Sequence, residues 1–189
     1  ASEKDLEDVV PYRYKRYEIS ETGISPRILP GTANQVLYAD SDEHTEEGHI
    51  TESADVRRSM VNKRLRKAVS LQEEISAPRL FPDAEAEVYI VSWGSTLGIV
   101  EEAIHRLRDR GLNIGYIHFS EVYPLRDGVI PPEIRTRAEL IGVENNATGQ
   151  FSRLLRVETG IEIDRMIIKF DGRPFTPGEL VRLIEERTG

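Results

Sequence analysis

The chain predicts an α/β domain built on a mostly parallel sheet with helices on both faces, preceded by an extended N-terminal arm. Two observations carry this. From Glu87 onward, short apolar runs alternate with stretches of helical periodicity. Before about residue 52, apolar residues follow no regular spacing and turn signals dominate. The division expected is an arm over 1–52 and a compact domain over 53–189.

In the arm, Gly23, Ser25-Pro26, Leu29-Pro30-Gly31 and the acidic stretch from Asp40 to Glu47 all mark turns. Each residue before a proline is pushed toward extended backbone. The only strand-like piece is 12–19, and it is one candidate for a fifth strand. Ser53 then caps a helix expected to reach about Glu74, with Val56, Met60, Val61, Leu65, Ala68, Val69 and Gln72 along one stripe. Pro78 and Pro82 close it off.

The domain follows element by element. Val88 to Val91 is a buried strand, leading into a helix that turns Leu97, Val100, Ala103, Ile104 and Leu107 inward and stops at Gly111. Ile114 to Phe119 and Leu140 to Val143 are the next strands. A helix burying Phe151, Leu154 and Leu155 ends at Gly160, and Met166 to Phe170 is a fourth strand. Thr176-Pro177-Gly178-Glu179 has the cap, the N1 proline and the capping-box acid in their places for a last helix.

Composition excludes several functions. The formal net charge is −8, the wrong sign for gripping nucleic acid. No apolar run approaches the roughly 20 residues of a membrane span, and no secretory signal opens the chain, so a cytoplasmic location is expected. Cysteine is absent, which removes thiolate nucleophiles and the usual cluster ligands from this chain. A start at Ala1 rather than Met is expected of a piece of a longer protein.

Ligands of open α/β sheets sit at the carboxyl ends of strands, near helix N-termini. Two loops have chemistry for that position. Ser92-Trp93-Gly94-Ser95-Thr96 offers hydroxyls and helix N–H groups to an anion, or Ser95 or Thr96 is simply an N-cap. Glu144-Asn145-Asn146-Ala147-Thr148-Gly149-Gln150 has more polar groups than capping needs. Asn146 alone can cap the helix, and Asn145, Thr148 and Gln150 are suited to a partner's backbone or a ligand amide. The acidic turn with His44 and His49 matches no calcium-loop or zincin spacing, so no metal site is expected. His105 and His118 have no serine or acid placed to make them catalytic. Arg27 and the group Arg57, Arg58, Lys63, Arg64, Arg66, Lys67 read as solvated basic faces or an interface with an acidic neighbour.

A series of strings goes further. It runs Gly23-Ile-Ser-Pro-Arg27, Pro30-Gly31, Ala39-Asp-Ser-Asp-Glu-His44, Gly48-His-Ile-Thr-Glu52 and Met60-Val-Asn-Lys-Arg64. It continues with Trp93-Gly-Ser-Thr96, Val143-Glu-Asn-Asn-Ala-Thr-Gly-Gln-Phe151 and Lys169-Phe-Asp-Gly-Arg-Pro-Phe-Thr176. From about Tyr12 onward the chain resembles the C-terminal half of α subunits of 2-oxoacid:ferredoxin oxidoreductases, particularly the 2-oxoglutarate type. The resemblance implies a three-layer, doubly wound domain like the transketolase C-terminal domain, with a mixed five-stranded sheet. It implies an enzyme that decarboxylates a 2-oxoacid, passes the acyl group to coenzyme A and sends electrons to ferredoxin. Thiamine diphosphate, magnesium and iron–sulfur clusters are implied for the whole complex and none for this piece. The implied partners are the β subunit and the N-terminal domain of the α subunit, with ferredoxin and coenzyme A at the level of the complex. This piece is expected to be an assembly and interface domain without catalytic residues, inactive alone. Trp93, Ser95, Thr96, Asn145, Asn146, Thr148, Gln150 and Arg27 are its candidate interface or coenzyme-A-proximal residues. The alternative reading is a stand-alone anion- or nucleotide-binding module or an oligomerisation module.

Overall fold

The computed structural model describes residues 14–29, 31, 37–81 and 86–188. Pro30, Pro82 and residues 12–13, which the sequence reading used, lie outside them. The chain forms two compact units, divided between Glu74 and Ile75. The helix that the sequence reading grouped with the α/β domain therefore packs with the arm.

In the first unit, helix α1 (Ala54–Glu74) is the scaffold, with Ser53 Oγ accepting from Val56 N–H at 3.4 Å as its cap. The arm folds onto it rather than running past. Lys63 is buried, and its ammonium donates to Tyr17 O at 2.7 Å and to Ser25 Oγ. Burial, with Lys67 and Arg16 nearby, pushes its pKa down. Gly23 takes φ +78°, and a Cβ there would lie 2.4 Å from Lys63 O. The acidic turn is also drawn onto the helix. Glu43 accepts two hydrogen bonds from Arg64, at 3.1 and 2.8 Å, and lies 3.5 Å from Arg57. His44 stacks on Tyr17 with ring centroids 3.8 Å apart, and His44 bridges to Ile50. Residues 14–19 form no strand. The expected inward stripe of α1 holds only in part. Met60 is buried and Val56 half-buried, but Leu65 and Val69 are 61% and 63% exposed. The arm covers the face bearing Met60 and Lys63, which leaves the second apolar row outside.

The second unit is the sheet. Its strands are β1 (Arg79–Phe81), β2 (Val88–Trp93), β3 (Ile114–Phe119), β4 (Glu139–Glu144) and β5 (Arg165–Ile168), in the order β1-β3-β2-β4-β5. All neighbours are parallel except β1, which runs antiparallel to β3. The fifth strand is thus the short piece Arg79–Phe81, while 14–19, the described part of the other candidate, is not a strand. Three residues beside Pro78 are too few to show a period, which hid the strand in the sequence.

Helices α2 (Leu97–Asp109), α3 (Pro132–Arg137), α4 (Gln150–Thr159) and α5 (Pro177–Thr188) complete the layers. Val100, Ala103, Ile104 and Leu107 of α2 share one core with Leu180, Val181 and Ile184 of α5. Ile134 of α3 and Phe151 and Leu155 of α4 pack in a second core on the other face. Each fully buried Ile or Leu contributes about 1.5–3 kcal/mol. The fold is therefore a three-layer, doubly wound α/β unit with a five-stranded, mostly parallel sheet.

The capping box of α5 forms as its sequence predicts. Glu179 N–H donates to Thr176 Oγ1 at 3.2 Å, and Thr176 N–H donates to a Glu179 carboxylate oxygen at 3.4 Å. Lys169 secures the same carboxylate at 2.7 Å. Replacing Thr176 with alanine is expected to destabilise by about 1 kcal/mol, read as a lowered denaturant midpoint at unchanged slope.

A switch-point site capped from within

The order of strands reverses at β2. The chain leaves β2 for β3 on one side and then crosses to β4 on the other, so the topological switch point lies between the carboxyl ends of β2 and β4. Both loops singled out in the sequence start there, since Ser92 of β2 is in register with Val143 of β4.

In the first loop, Gly94–Thr96 make a single 3₁₀ turn with Gly94 at φ +60°. Thr96 stands at the N-cap of α2, but its side chain makes no cap bond. It turns inward instead, bonding to Ser92 Oγ at 2.9 Å and to Trp93 O at 2.7 Å. Ser92 Oγ lies 2.8 Å from the Tyr116 hydroxyl, which lies 2.9 Å from His118 Nδ1. All four side chains are buried. Burial pushes the Tyr116 phenol up, and burial followed by Arg79 pushes His118 down, so both are held neutral. The group is a satisfied polar core that anchors the loop. Ser95 is exposed, and Trp93 is half-buried with its ring 6.2 Å from that of Phe151.

In the second loop, the decisive residue is one that the sequence reading left as context. Glu144 is 1% exposed, and its carboxylate accepts four hydrogen bonds. They come from Phe151 N–H at 3.0 Å, Ser152 N–H at 2.9 Å, Ser152 Oγ at 2.7 Å and Asn146 Nδ2 at 2.6 Å. The two backbone donors are N2 and N3 of α4, the groups that would receive an outside anion. Burial pushes the Glu144 pKa up, but the bonds from Ser152, Asn146 and Phe151 outweigh it and hold it below the usual carboxylate range. Asn146 braces the loop a second time, its Oδ1 accepting from Thr148 N–H and Gln150 N–H, both at 3.1 Å. Gly149, at the N-cap, takes φ 60° and supplies no side chain. The cap expected of Asn146 alone is therefore shared, and Glu144 holds the greater part. A glutamate at the end of an apolar strand, two residues before Asn146, was the available signal.

Asn145, Thr148 and Gln150 are exposed on this rim, and Asn145 Nδ2 reaches Arg173 O at 3.5 Å. Arg27 is exposed in the first unit. His105 is exposed on α2. Among the described residues no group of three His, Cys, Asp or Glu could hold a metal ion, and no helix is long and apolar enough to cross a membrane.

The arrangement defines a doubly wound α/β domain whose switch-point helix end is closed by its own carboxylate. No protein-family profile matches the chain. Relatives do. It is 36% identical over 187 residues to 2-oxoacid:ferredoxin oxidoreductase 2, subunit alpha, of Aeropyrum pernix, covering 95% of this chain and 29% of that protein. It is 32% identical over 169 residues to the corresponding α subunit of Saccharolobus solfataricus, covering 88% of this chain and 26% of that one. Among solved structures, the 2-oxoglutarate:ferredoxin oxidoreductase from Magnetococcus marinus, with 2-oxoglutarate, coenzyme A and succinyl-CoA bound, matches with a TM-score of 0.68 and 33% identity. That match covers 92% of this chain and 30% of the other. The chain is a homologue of 2-oxoacid:ferredoxin oxidoreductase α subunits, and it spans under a third of the length of these relatives.

Proposed function

We propose that the chain is the transketolase C-terminal-like part of the α subunit of a coenzyme-A-acylating 2-oxoacid:ferredoxin oxidoreductase, and that its role there is assembly. The complex would convert 2-oxoacid, coenzyme A and oxidised ferredoxin to acyl-coenzyme A, carbon dioxide and reduced ferredoxin, in the cytoplasm. The observation that carries this reading is homology over nearly the whole chain together with a switch-point site whose anion position is taken by Glu144.

Among the described residues no assembled group fits the family's cofactors. Cysteine is absent from the sequence, and the described residues bring no metal-binding group together. The helix end best placed for a diphosphate already holds a carboxylate. Thiamine diphosphate, magnesium and clusters therefore belong, in this reading, to the β subunit, the remainder of the α subunit and cluster-bearing chains. What this chain contributes is a rigid rim. Exposed Asn145, Thr148, Gln150 and Ser95, with half-buried Trp93, stand on loops fixed from below by Glu144, Asn146 and the Ser92–Thr96 group. Such exposed amides and hydroxyls on an ordered backbone suit a subunit contact or the amide portion of coenzyme A. Arg27 is a further contact candidate of the first unit.

The test is reconstitution. The purified chain, checked for folding by circular dichroism, should give no viologen reduction with 2-oxoglutarate and coenzyme A. Mixed with its cognate β subunit it should co-elute on size exclusion. Turnover by the chain alone, or no association of the folded chain, overturns the proposal.

A further inference from the structure

Strand β5 lies at the end of the sheet and pairs with β4 alone among the described residues. Its far side is a row of backbone donors and acceptors with no strand of the described residues beside them. Natural sheets usually blunt such an edge with a charge, a proline or a bulge. In β5 the one charged residue is Arg165, and it is tied elsewhere, to Glu139 at 2.6 Å and to the carbonyl of Arg187. Nothing on the strand itself obstructs a newcomer.

The surroundings are built on the same side. Ile167 faces the core shared by α2 and α5. Met166 and Ile168, at the two-residue spacing of the opposite face, are only half-buried, and Phe170 continues the spacing at 70% exposure. A groove of about 310 Å³ between this strand and α4 is lined by Ile163, Met166 and Ile168, with two cations, Arg153 and Arg156, against one carboxylate, Glu162. Arg156 is shared with Glu162 at 2.8 Å, an exposed pair of the kind that contributes little and can be exchanged. Met166 is adaptable; its sulfur lies 3.3 Å from the Ser152 hydroxyl, and its side chain packs over Gly142.

We propose that the free side of β5 is a docking edge for an extended, acidic segment of a partner polypeptide, which adds to the sheet as a further strand. An extended segment satisfies the backbone row, which a helix cannot, because its own N–H and C=O groups are used internally. Alternate apolar side chains of the segment lie on Met166 and Ile163. Acidic ones between or beside them meet the two guanidinium groups, which are suited to carboxylates. The inference concerns the second unit alone and stands apart from the assembly reading.

The probe is a short blocked peptide of alternating valine and glutamate, with its valine–lysine counterpart as control. The glutamate peptide is expected to slow amide exchange along 165–168 and to bind about tenfold more weakly at high than at low salt. In the R153E/R156E variant, whose changed side chains are exposed, preference passes to the lysine peptide while the circular dichroism stays unchanged. Protection by neither peptide, or protection at Arg79–Phe81 instead, overturns the docking edge. Equal binding of both peptides to the unchanged protein overturns the acidic partner.

Discussion

Replacing Glu144 with alanine is expected to destabilise the second unit by about 3–4 kcal/mol, because four donors lose their acceptor at a half-buried or buried loop-helix junction. In a thermal melt that is a drop of roughly 6–16 °C. Glu144→Gln retains an acceptor but no charge and should lose about half as much. The same group sets a pH dependence. Its folded pKa is depressed, so its contribution is fully present above the unfolded value and is lost as pH falls through the folded one. Stability of the unaltered chain therefore falls below about pH 4.5. In Glu144→Gln that part of the acid slope is absent. An acid slope unchanged by the substitution counts against the ionised carboxylate.

Gly23→Ala is expected to loosen the first unit by about 2–5 kcal/mol, the sum of a left-handed backbone at a non-glycine and a collision with backbone. The new Cβ would meet Lys63 O at 2.4 Å and Lys67 N at 2.7 Å, and neither can swing aside. Amide exchange separates the units. Protection of residues 14–29 and of the middle of α1 should drop, while β2, β3 and β4 keep theirs. Loss that spreads evenly over both units contradicts a strain confined to the first.

The contrast between these two positions shows what the chain states openly and what it conceals. Strands β2, β3 and β4 were legible because both of their faces are buried, which leaves continuous apolar runs. Helices α2, α4 and α5 were legible from their periodicity and from the Thr176 box. Helix α3 was missed, since six residues with a single buried Ile134 carry almost no period. The two switch-point loops were placed correctly because strand ends and helix starts mark them. Their inner chemistry was not, because it depends on tertiary direction. Thr96 has a capping residue's identity and spacing, yet its hydroxyl is drawn to Ser92 and Trp93 O. The role of Glu144 needs the strand end to project toward N2 and N3 of a helix seven and eight residues on. On α1, a single apolar stripe was read where Met60 and Lys63 mark one face and Leu65 and Val69 another.

A tethered carboxylate is a ligand that never dissociates. Glu144 is presented to the start of α4 by its own strand, so its local concentration there is set by the chain and not by the cell. Any free phosphate or acid entering that helix end has to displace an intramolecular competitor at high effective molarity. Metabolite levels that swing through the millimolar range would leave this loop unmoved. The rim of Asn145, Thr148 and Gln150 is in that sense buffered, keeping one shape for whatever meets it, whether or not small anions are abundant.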